Sequence, residues 1–228
     1  MIGTRRHPLA VRRLGVVPYR EAWDMQRELV ERRKRGEIED HLVLLEHESV
    51  YTLGRRGDLG HVTMPGERRA ALGIDVIHTD RGGDVTWHGP GQLVGYPIVS
   101  LAPDRKDVVR YVRDLEEAII RGAADFGIRA GRIPGLTGVW AGDEKFAAIG
   151  VRISRWVTSH GFALNVRNSL EPYGGIVPCG ITGKGVTTLS RLAGREISVR
   201  EAADRFVVRF AEVFDREPRE EGGHGPGA

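Results

Sequence analysis

Residues 138–166 read GVWAGDEKFAAIGVRISRWVTSHGFALNV and contain the clearest strand pattern in the chain. A short apolar run at 138–140 and an alternating stretch at 145–153 flank the turn residues 141–144. Successive side chains of a strand point to opposite faces, so the alternating stretch directs one row of side chains to one face. That row consists of Lys145, Ala147, Ile149, Val151 and Ile153. The pattern predicts a β-hairpin, followed by a further strand at 160–166.

Lys145 is one of only four lysines, and the other cationic side chains are mainly arginines. An amine beside an apolar row has a lowered pKa, because burial disfavours its charged form. Such a group can exchange protons, and its ammonium form favours a nearby thiolate. Alternatively, Lys145 simply opens the strand and extends its amine into water. Spacing alone leaves both interpretations open.

Cys179 is the only cysteine, and it lies in residues 174–189, GGIVPCGITGKGVTTL. Pro178 and Gly180 flank it, so the backbone is expected to turn there. Free cysteines are also common as inert core residues. The loop context makes Cys179 a candidate nucleophile, with a structural role as the alternative.

Length and composition favour one domain over residues 1–215, followed by a disordered tail at 216–228. We find no apolar run long enough to span a membrane and no secretion signal, so a cytoplasmic protein without membrane contact is expected. A single cysteine excludes internal disulfides and multi-cysteine zinc sites. The net charge of +3 is modest, and without interleaved aromatic and basic residues we expect no nucleic-acid partner.

Hydrophobic periodicity and capping residues predict the remaining elements. Helices are expected at 19–35, from Asp107 to about residue 126, and after the capping box of Ser198 and Glu201. Short apolar runs predict strands at 41–45 and 74–79. The glycine-rich residues 81–97, RGGDVTWHGPGQLVGYP, lack the spacing of a dinucleotide fingerprint. Their five glycines indicate close backbone approach, either to a ligand or to another strand.

Five stretches, taken in order, resemble the lipoyl(octanoyl) transferase family. They are EH at 46–47 with VYTLGR at 50–55, RGG at 81–83 with TWHGPGQL at 86–93, GVW at 138–140 with Lys145 and AIG at 148–150, HGFALN at 160–165, and VPCGI at 177–181. The resemblance covers roughly residues 19–192, and several motifs in one order are far more specific than any single motif. The departures are Glu48-Ser49, Trp87 and Thr188, none of which falls on the presumed chemistry.

The resemblance implies an α/β fold of the biotin and lipoate protein ligase type, with a mixed, largely antiparallel sheet and packed helices. It also implies transfer of an octanoyl group from acyl carrier protein to a lysine of lipoyl domains in 2-oxoacid dehydrogenase complexes and of the glycine cleavage H protein. The acyl group would arrive on the phosphopantetheine of the carrier. No other cofactor and no metal are expected.

The same resemblance makes Cys179 the nucleophile that carries the acyl group as a thioester, and Lys145 its acid and base partner. It also implies three acyl-binding segments. Their residues are Arg81, Gly82, Gly83, Asp84, Val85, Thr86, Trp87 and His88; Ala148, Ile149 and Gly150; and His160, Gly161, Phe162 and Ala163. His88 and His160 could equally be structural. Three alternatives stay open: an ATP-dependent lipoate or biotin ligase, a cysteine hydrolase in which His160 serves Cys179, and a non-catalytic acyl-binding protein.

Overall fold

The computed structural model describes residues 6–177 and 183–221, which form two sheets and five α-helices. The strands are β1 His7–Val17, β2 Asp40–His47, β3 Val50–Leu53, β4 Asp75–His78, β5 Val85–His88, β6 Gln92–Ile98, β7 Gly131–Ile133, β8 Leu136–Ala141, β9 Glu144–Ser154, β10 Val157–Asn165, β11 Gly185–Val186 and β12 Arg216–Glu220. The helices are α1 Tyr19–Lys34, α2 Gly66–Ala71, α3 Val108–Ala124, α4 Leu189–Ala193 and α5 Val199–Phe214.

The main sheet has the strand order β12-β1-β2-β6-β10-β9-β8-β7, and β11 adds to β9. Strands β12, β1 and β2 are parallel, as is the β11–β9 pair, whereas all the pairs from β2 to β7 are antiparallel. The predicted mixed, largely antiparallel sheet is therefore confirmed. A separate small sheet has the order β4-β3-β5.

Helices cover both faces of the main sheet. On one face, α5 packs beside α3 and buries an aromatic row of Phe206, Phe210 and Phe214. Each such side chain contributes on the order of 2 kcal/mol of hydrophobic free energy on burial. On the other face, α1 packs Ala22 and Leu29 against β2, β6 and β10. The sheet is therefore the middle of three layers.

The caps read from the sequence are present. The Asp107 carboxylate accepts a hydrogen bond from the backbone N–H of Arg110 at 3.0 Å, and α3 begins at Val108, directly after Asp107. The Ser198 hydroxyl likewise accepts from the backbone N–H of Glu201 at 3.0 Å. These bonds satisfy helix-terminal donors that have no partner within the helix. The predicted hairpin and the strand that follows it are confirmed as β8, β9 and β10.

Two terminal strands were not predicted from the sequence. Strand β1 occupies His7–Val17, for which the sequence pattern predicted no element, and its Leu9 and Val11 are fully buried. Strand β12 pairs with β1 across residues 216–220, so the expected disordered tail does not begin at 216. Arg216 of β12 is buried, and its charge is compensated there by Asp40 of β2 at 2.9 Å. Residues 222–228 lie outside the described part of the chain.

No helix in the described residues is long and apolar enough to cross a membrane. That the chain forms a single domain stays a prediction, whereas its main sheet extends past the predicted limit of 215 to β12.

Candidate active site

A cavity of about 620 Å³ lies where β9 and β10 of the main sheet meet β5 of the small sheet. Thirteen of the fifteen predicted acyl-binding residues line it; only Gly82 and Trp87 do not. Lys145 lines it too, as do Val177 and Lys184 on either side of residues 178–182. The structure thus brings the three predicted segments and Lys145 to one cavity.

Trp87 and Gly82 have other surroundings. The Trp87 ring is buried in the core of the small sheet, 5.6 Å from the ring of Tyr173, and its Nε1 donates to Ser49 Oγ at 2.9 Å. Its neighbours in β5, Thr86 and His88, line the cavity, as the alternation of a strand requires. Gly82 donates its backbone N–H to the carbonyl of Val151 at 2.9 Å. Both residues support the wall from outside the cavity.

Two cavity glycines are needed for strand contacts. A Cβ at Gly161 would lie 2.2 Å from the carbonyl oxygen of Gly95, and one at Gly150 would lie 2.8 Å from that of Gly82. Both distances are too short for real atoms, so these positions exclude larger side chains whether or not a ligand is bound. Ala148 and Ala163, which face each other across β9 and β10, are the small side chains that line the space itself.

Lys145 lies at the start of β9, and its Nζ is 4.6 Å from the centre of the Trp140 ring. Within the described residues it has no hydrogen bond or ion pair to an acidic side chain. Burial lowers its pKa from 10.5 to about 8. The alternative interpretation, an amine that simply extends into water, does not fit its position against the Trp140 ring in the cavity wall. It is a cavity amine that can gain or lose a proton close to neutral pH.

Cys179 lies outside the described residues, so its position is not part of the structure. The chain on both sides of it is held near the cavity. Val177 donates its backbone N–H to the carbonyl of His61 at 2.8 Å. After the gap, Val186 pairs with Lys145, and Thr187 donates to the Lys145 carbonyl at 3.0 Å.

Arg81 is a buried cation in the cavity wall. Its Nη2 donates to the carbonyl and the hydroxyl of Thr52 at 2.7 and 2.8 Å, and its Nη1 donates to the Gly82 carbonyl at 3.1 Å. None of the ion pairs among the described residues includes Arg81, although the Asp84 carboxylate acts on it electrostatically. Desolvation lowers its pKa, although a guanidinium stays protonated at working pH. The cavity therefore contains fixed positive charge.

His88 belongs to a buried hydrogen-bond chain. Its Nδ1 lies 2.9 Å from Gln92 Oε1, which only accepts, and its Nε2 lies 3.3 Å from the Thr52 hydroxyl. Because Thr52 Oγ1 already accepts from Arg81, its hydroxyl proton is available to Nε2. This assigns a neutral imidazole with the proton on Nδ1, and desolvation accordingly lowers the pKa of His88 well below 6.5.

His160 is held by Asp80, whose Oδ1 lies 2.7 Å from Nε2. Burial lowers the pKa of the imidazole, and the hydrogen bond from His160 lowers the pKa of Asp80. Both directions fit a neutral ring that donates Nε2–H to a carboxylate. The Nδ1 atom is buried and has no partner among the described residues.

The sequence analysis assigned no role to several residues that line this cavity. They are Tyr19, Arg56, Tyr96, Trp140, Asn165 and Tyr173. Trp140 and Asn165 fall in motifs that carried the resemblance, which is a signal that could have marked them. Within residues 6–177 and 183–221, no three His, Cys, Asp or Glu side chains are grouped so as to hold a metal ion.

The architecture is that of the lipoate and biotin protein ligases. It superimposes on protein Ta0514 of T. acidophilum with bound lipoic acid, with a TM-score of 0.76 at 16% identity, over 95% of this chain and 89% of that one. It also superimposes on a biotin protein ligase mutant from Aquifex aeolicus in complex with biotin, with a TM-score of 0.51 at 14% identity, over 90% and 69% of the two chains. At these identities the likeness establishes the fold.

Sequence comparison is more specific. The family model of the lipoyl protein ligase A/B catalytic domain matches residues 18–211, and the chain belongs to that family. An octanoyltransferase of Solibacter usitatus is 53% identical, over 91% of this chain and 93% of the relative. An octanoyltransferase of Rubrobacter xylanophilus is 51% identical, over 92% and 96%. The resemblance to the octanoyltransferases, which are acyltransferases, is therefore confirmed.

Proposed function

We propose that this protein transfers an octanoyl group from the phosphopantetheine thiol of acyl carrier protein to a lysine of a lipoyl domain, through a thioester on Cys179. The acceptors would be lipoyl domains of 2-oxoacid dehydrogenase complexes and the glycine cleavage H protein, in lipoate biosynthesis in the cytoplasm. Half of the residues are shared with octanoyltransferases over nearly the full length, which supports the reaction. One solved neighbour is described with its E2 lipoyl domain, which supports that acceptor class.

The observation that carries the proposal is the low-pKa amine of Lys145 in the cavity to which both flanks of Cys179 lead. A free thiol is only a few per cent thiolate at pH 7, so a nearby ammonium group raises the reactive fraction. An amine with a pKa of about 8 is populated in both protonation states near neutral pH. It is therefore suited to give a proton in one half reaction and take one in the other.

In the first half reaction, the Cys179 thiolate attacks the carbonyl carbon of the carrier thioester. The carbon–sulfur bond to the pantetheine breaks, and the leaving thiolate takes a proton from the Lys145 ammonium. In the second, neutral Lys145 accepts a proton from the acceptor ammonium, whose nitrogen then attacks the Cys179 thioester. The nitrogen gives up a second proton to solvent as the amide forms, and the Cys179 thiolate is released. The first proton, held on Lys145, restores the starting state.

The cavity supports an acyl substrate. Ala148 and Ala163 are paired in the neighbouring strands β9 and β10, and their small side chains leave room over this part of the sheet. The substrate-binding roles of the three segments stay part of this proposal, as does the absence of a further cofactor or metal.

The proposal is tested with purified protein, octanoyl acyl carrier protein and an apo lipoyl domain, with and without ATP. We expect octanoylation of the lipoyl domain at the same rate in both conditions. Transfer from free octanoate that depends on ATP would indicate a ligase. Release of free octanoate without transfer would indicate a hydrolase, and binding without turnover would indicate an acyl-binding protein.

A further inference from the structure

Asn165 is a buried residue of the cavity wall whose amide nitrogen has no acceptor within residues 6–177 and 183–221. It ends β10 opposite Gln92 of β6, and only 3% of its surface is exposed. It lines the same cavity as Lys145. It follows Ala163 by two positions in β10, so both side chains point to the same face of the strand.

Three donors converge on the carboxamide oxygen of Asn165. Gln92 Nε2 donates to Oδ1 at 3.0 Å, the Tyr173 hydroxyl at 3.1 Å and Asn168 Nδ2 at 3.3 Å. An amide oxygen has two lone pairs, so its accepting capacity is filled. None of the hydrogen bonds among the described residues uses the Asn165 amide nitrogen as a donor. The opposite orientation of the carboxamide would place its N–H₂ group against Gln92 Nε2 and Asn168 Nδ2, which can only donate. Asn168 Nδ2 is itself fixed by its hydrogen bond to the Ser169 carbonyl at 3.0 Å.

The neighbouring amide is fixed in the same way. Gln92 Nε2 also lies 3.2 Å from the carbonyl oxygen of Trp87, which can only accept, and Gln92 Oε1 faces His88 Nδ1 at 2.9 Å. Turning Gln92 over would set its oxygen against that carbonyl and against Asn165 Oδ1. The network therefore holds the Asn165 N–H₂ group in one orientation before any ligand arrives.

We propose that Asn165 Nδ2 donates a hydrogen bond to the carbonyl oxygen of the acyl group in the cavity. This rests on the proposed function, because an octanoyl group has one strong acceptor, its carbonyl oxygen, and is otherwise alkyl. When a thiolate or an amine attacks the carbonyl carbon, that oxygen gains negative charge. A donor fixed in advance stabilises this charge without reorganising, and removing such a donor typically slows the chemical step by about 10²- to 10³-fold.

Three other polar groups of the wall are committed elsewhere. Arg81 donates from all three guanidinium nitrogens to Thr52 and to the Gly82 carbonyl. In the neutral form of His160 the proton lies on Nε2 toward Asp80, so Nδ1 can only accept. Lys145 is engaged in proton transfer under the proposed function. Two neutral donors without a partner among the described residues thus remain in this wall, Asn165 Nδ2 and Trp140 Nε1. Of the two, Asn165 is the one that a hydrogen-bond network orients.

The binding test uses Cys179→Ala protein, which cannot be acylated at that position. Two ligands are compared: S-octanoyl-pantetheine and S-octyl-pantetheine, the thioether without the carbonyl oxygen. We expect the parent protein to bind the thioester roughly threefold to tenfold more tightly. Adding Asn165→Ala should abolish this preference and leave the affinity for the thioether unchanged. Asn165→Asp is a second variant, whose carboxylate can accept from the same three donors but cannot donate.

A preference that survives in both folded variants would overturn the proposal, as would its absence in the parent protein. The kinetic test uses the protein with Cys179 intact, in which Asn165→Ala should slow single-turnover acylation by about 10²-fold. An unchanged acylation rate would also overturn the proposal. If the parent fails to transfer octanoate at all, the proposed function fails, whereas the ligand preference still decides the role of Asn165.

Discussion

At the scale of the residue, the surroundings of Lys145 determine the pKa of its amine. Its amine lies against the Trp140 ring at the edge of a cavity, without a carboxylate partner among the described residues. In such a place water solvates the ammonium group poorly, and the pKa falls to about 8. The proposed proton transfers depend on this shift.

We predict that one lysine of the Cys179→Ser variant titrates with a midpoint near pH 8. The serine removes the thiol, which would otherwise titrate together with the amine as a pair. Selective ¹³C labelling of lysine gives four side-chain signals to follow by NMR, since the chain contains four lysines. The shifted signal should be absent from Lys145→Arg. A Lys145 signal that titrates above pH 10 would contradict the assignment.

The sign of the stability effect follows from the same shift. Because the folded pKa is below the unfolded value of 10.5, the unfolded chain binds more protons between about pH 8 and 10.5. The free energy of unfolding of the wild type should therefore rise with pH in that window relative to Lys145→Met. Chemical denaturation at pH 7.5 and 9.5 measures the difference. An equal change in both proteins would show that Lys145 titrates normally.

A larger side chain at Ala163 tests which acyl chain lengths the cavity accepts. Its side chain is buried and lines the cavity opposite Ala148, so Ala163→Leu adds volume inside the proposed acyl slot. We expect the preferred acyl chain to become shorter than eight carbons, measured with acyl carrier protein loaded with chains of several lengths. Ala71→Leu, at an exposed site, serves as the control and should leave the preference unchanged. An unchanged preference in folded Ala163→Leu would show that the chain lies elsewhere.

The alternating strand pattern singled out Lys145, and the family resemblance implied its role and most of the cavity wall, because each lies in a compact sequence motif. It could not predict the hydrogen-bond network of Gln92, Asn165 and Tyr173. These residues are far apart in the chain and meet only when β6, β10 and the turn Glu171–Gly175 pack together. The resemblance quoted Asn165 without a role, since a motif does not show which atom of a side chain is left without a partner.

At the scale of the element, the approach of β10 to β6 depends on glycines. From the sequence we took Gly161 as part of the slot for the acyl chain. In the structure, an added Cβ would lie 2.2 Å from the carbonyl oxygen of Gly95. The small residue is therefore required by the neighbouring backbone, and enlarging it affects the sheet first.

We predict that Gly161→Ala lowers the free energy of unfolding by about 2 kcal/mol or more, because the two strands must separate. Gly131→Ala is the matched control, since a Cβ there has no atom of the described structure within 4 Å. It should change stability by less than about 1 kcal/mol. Urea denaturation measures both. Equal stability of the two variants would refute the packing role of Gly161.

Local sequence predicted the interior elements well and the edge elements badly. Strands β9 and β10 and helices α3 and α5 are each marked by a clear apolar period or a cap. Strand β12 reads REPRE, with no apolar residue except proline, and four of its five residues are exposed. It forms because β1 offers a free edge at the other end of the chain, which no local pattern records.

At the scale of the whole molecule, the two ends of the chain are joined at β2. Asp40 is nearly fully buried and accepts from Arg216 Nε at 2.9 Å, from Arg33 Nε at 2.7 Å and from the Ser100 backbone N–H at 2.9 Å. This carboxylate connects β12, α1 and the chain after β6. Removing one cation leaves a buried charge less well compensated.

We expect Arg216→Met to destabilise the protein by about 2 kcal/mol or more, with Arg33 retaining part of the compensation. Arg219→Met is the control, because Arg219 and Glu217 are paired in the same strand but exposed. Its effect should be about 0.5 kcal/mol or less. Thermal and urea unfolding of both variants provide the measurement. A neutral Arg216→Met would show that the pair of Arg216 and Asp40 adds nothing to the stability of the fold.

The central claim is that Cys179 carries the octanoyl group. Its most direct test is the intact mass of the protein after incubation with octanoyl acyl carrier protein alone. We predict one octanoyl adduct that hydroxylamine removes, as expected of a thioester, and no such thioester in Cys179→Ser. A Cys179→Ser protein that still octanoylates the lipoyl domain at the wild-type rate would contradict the account.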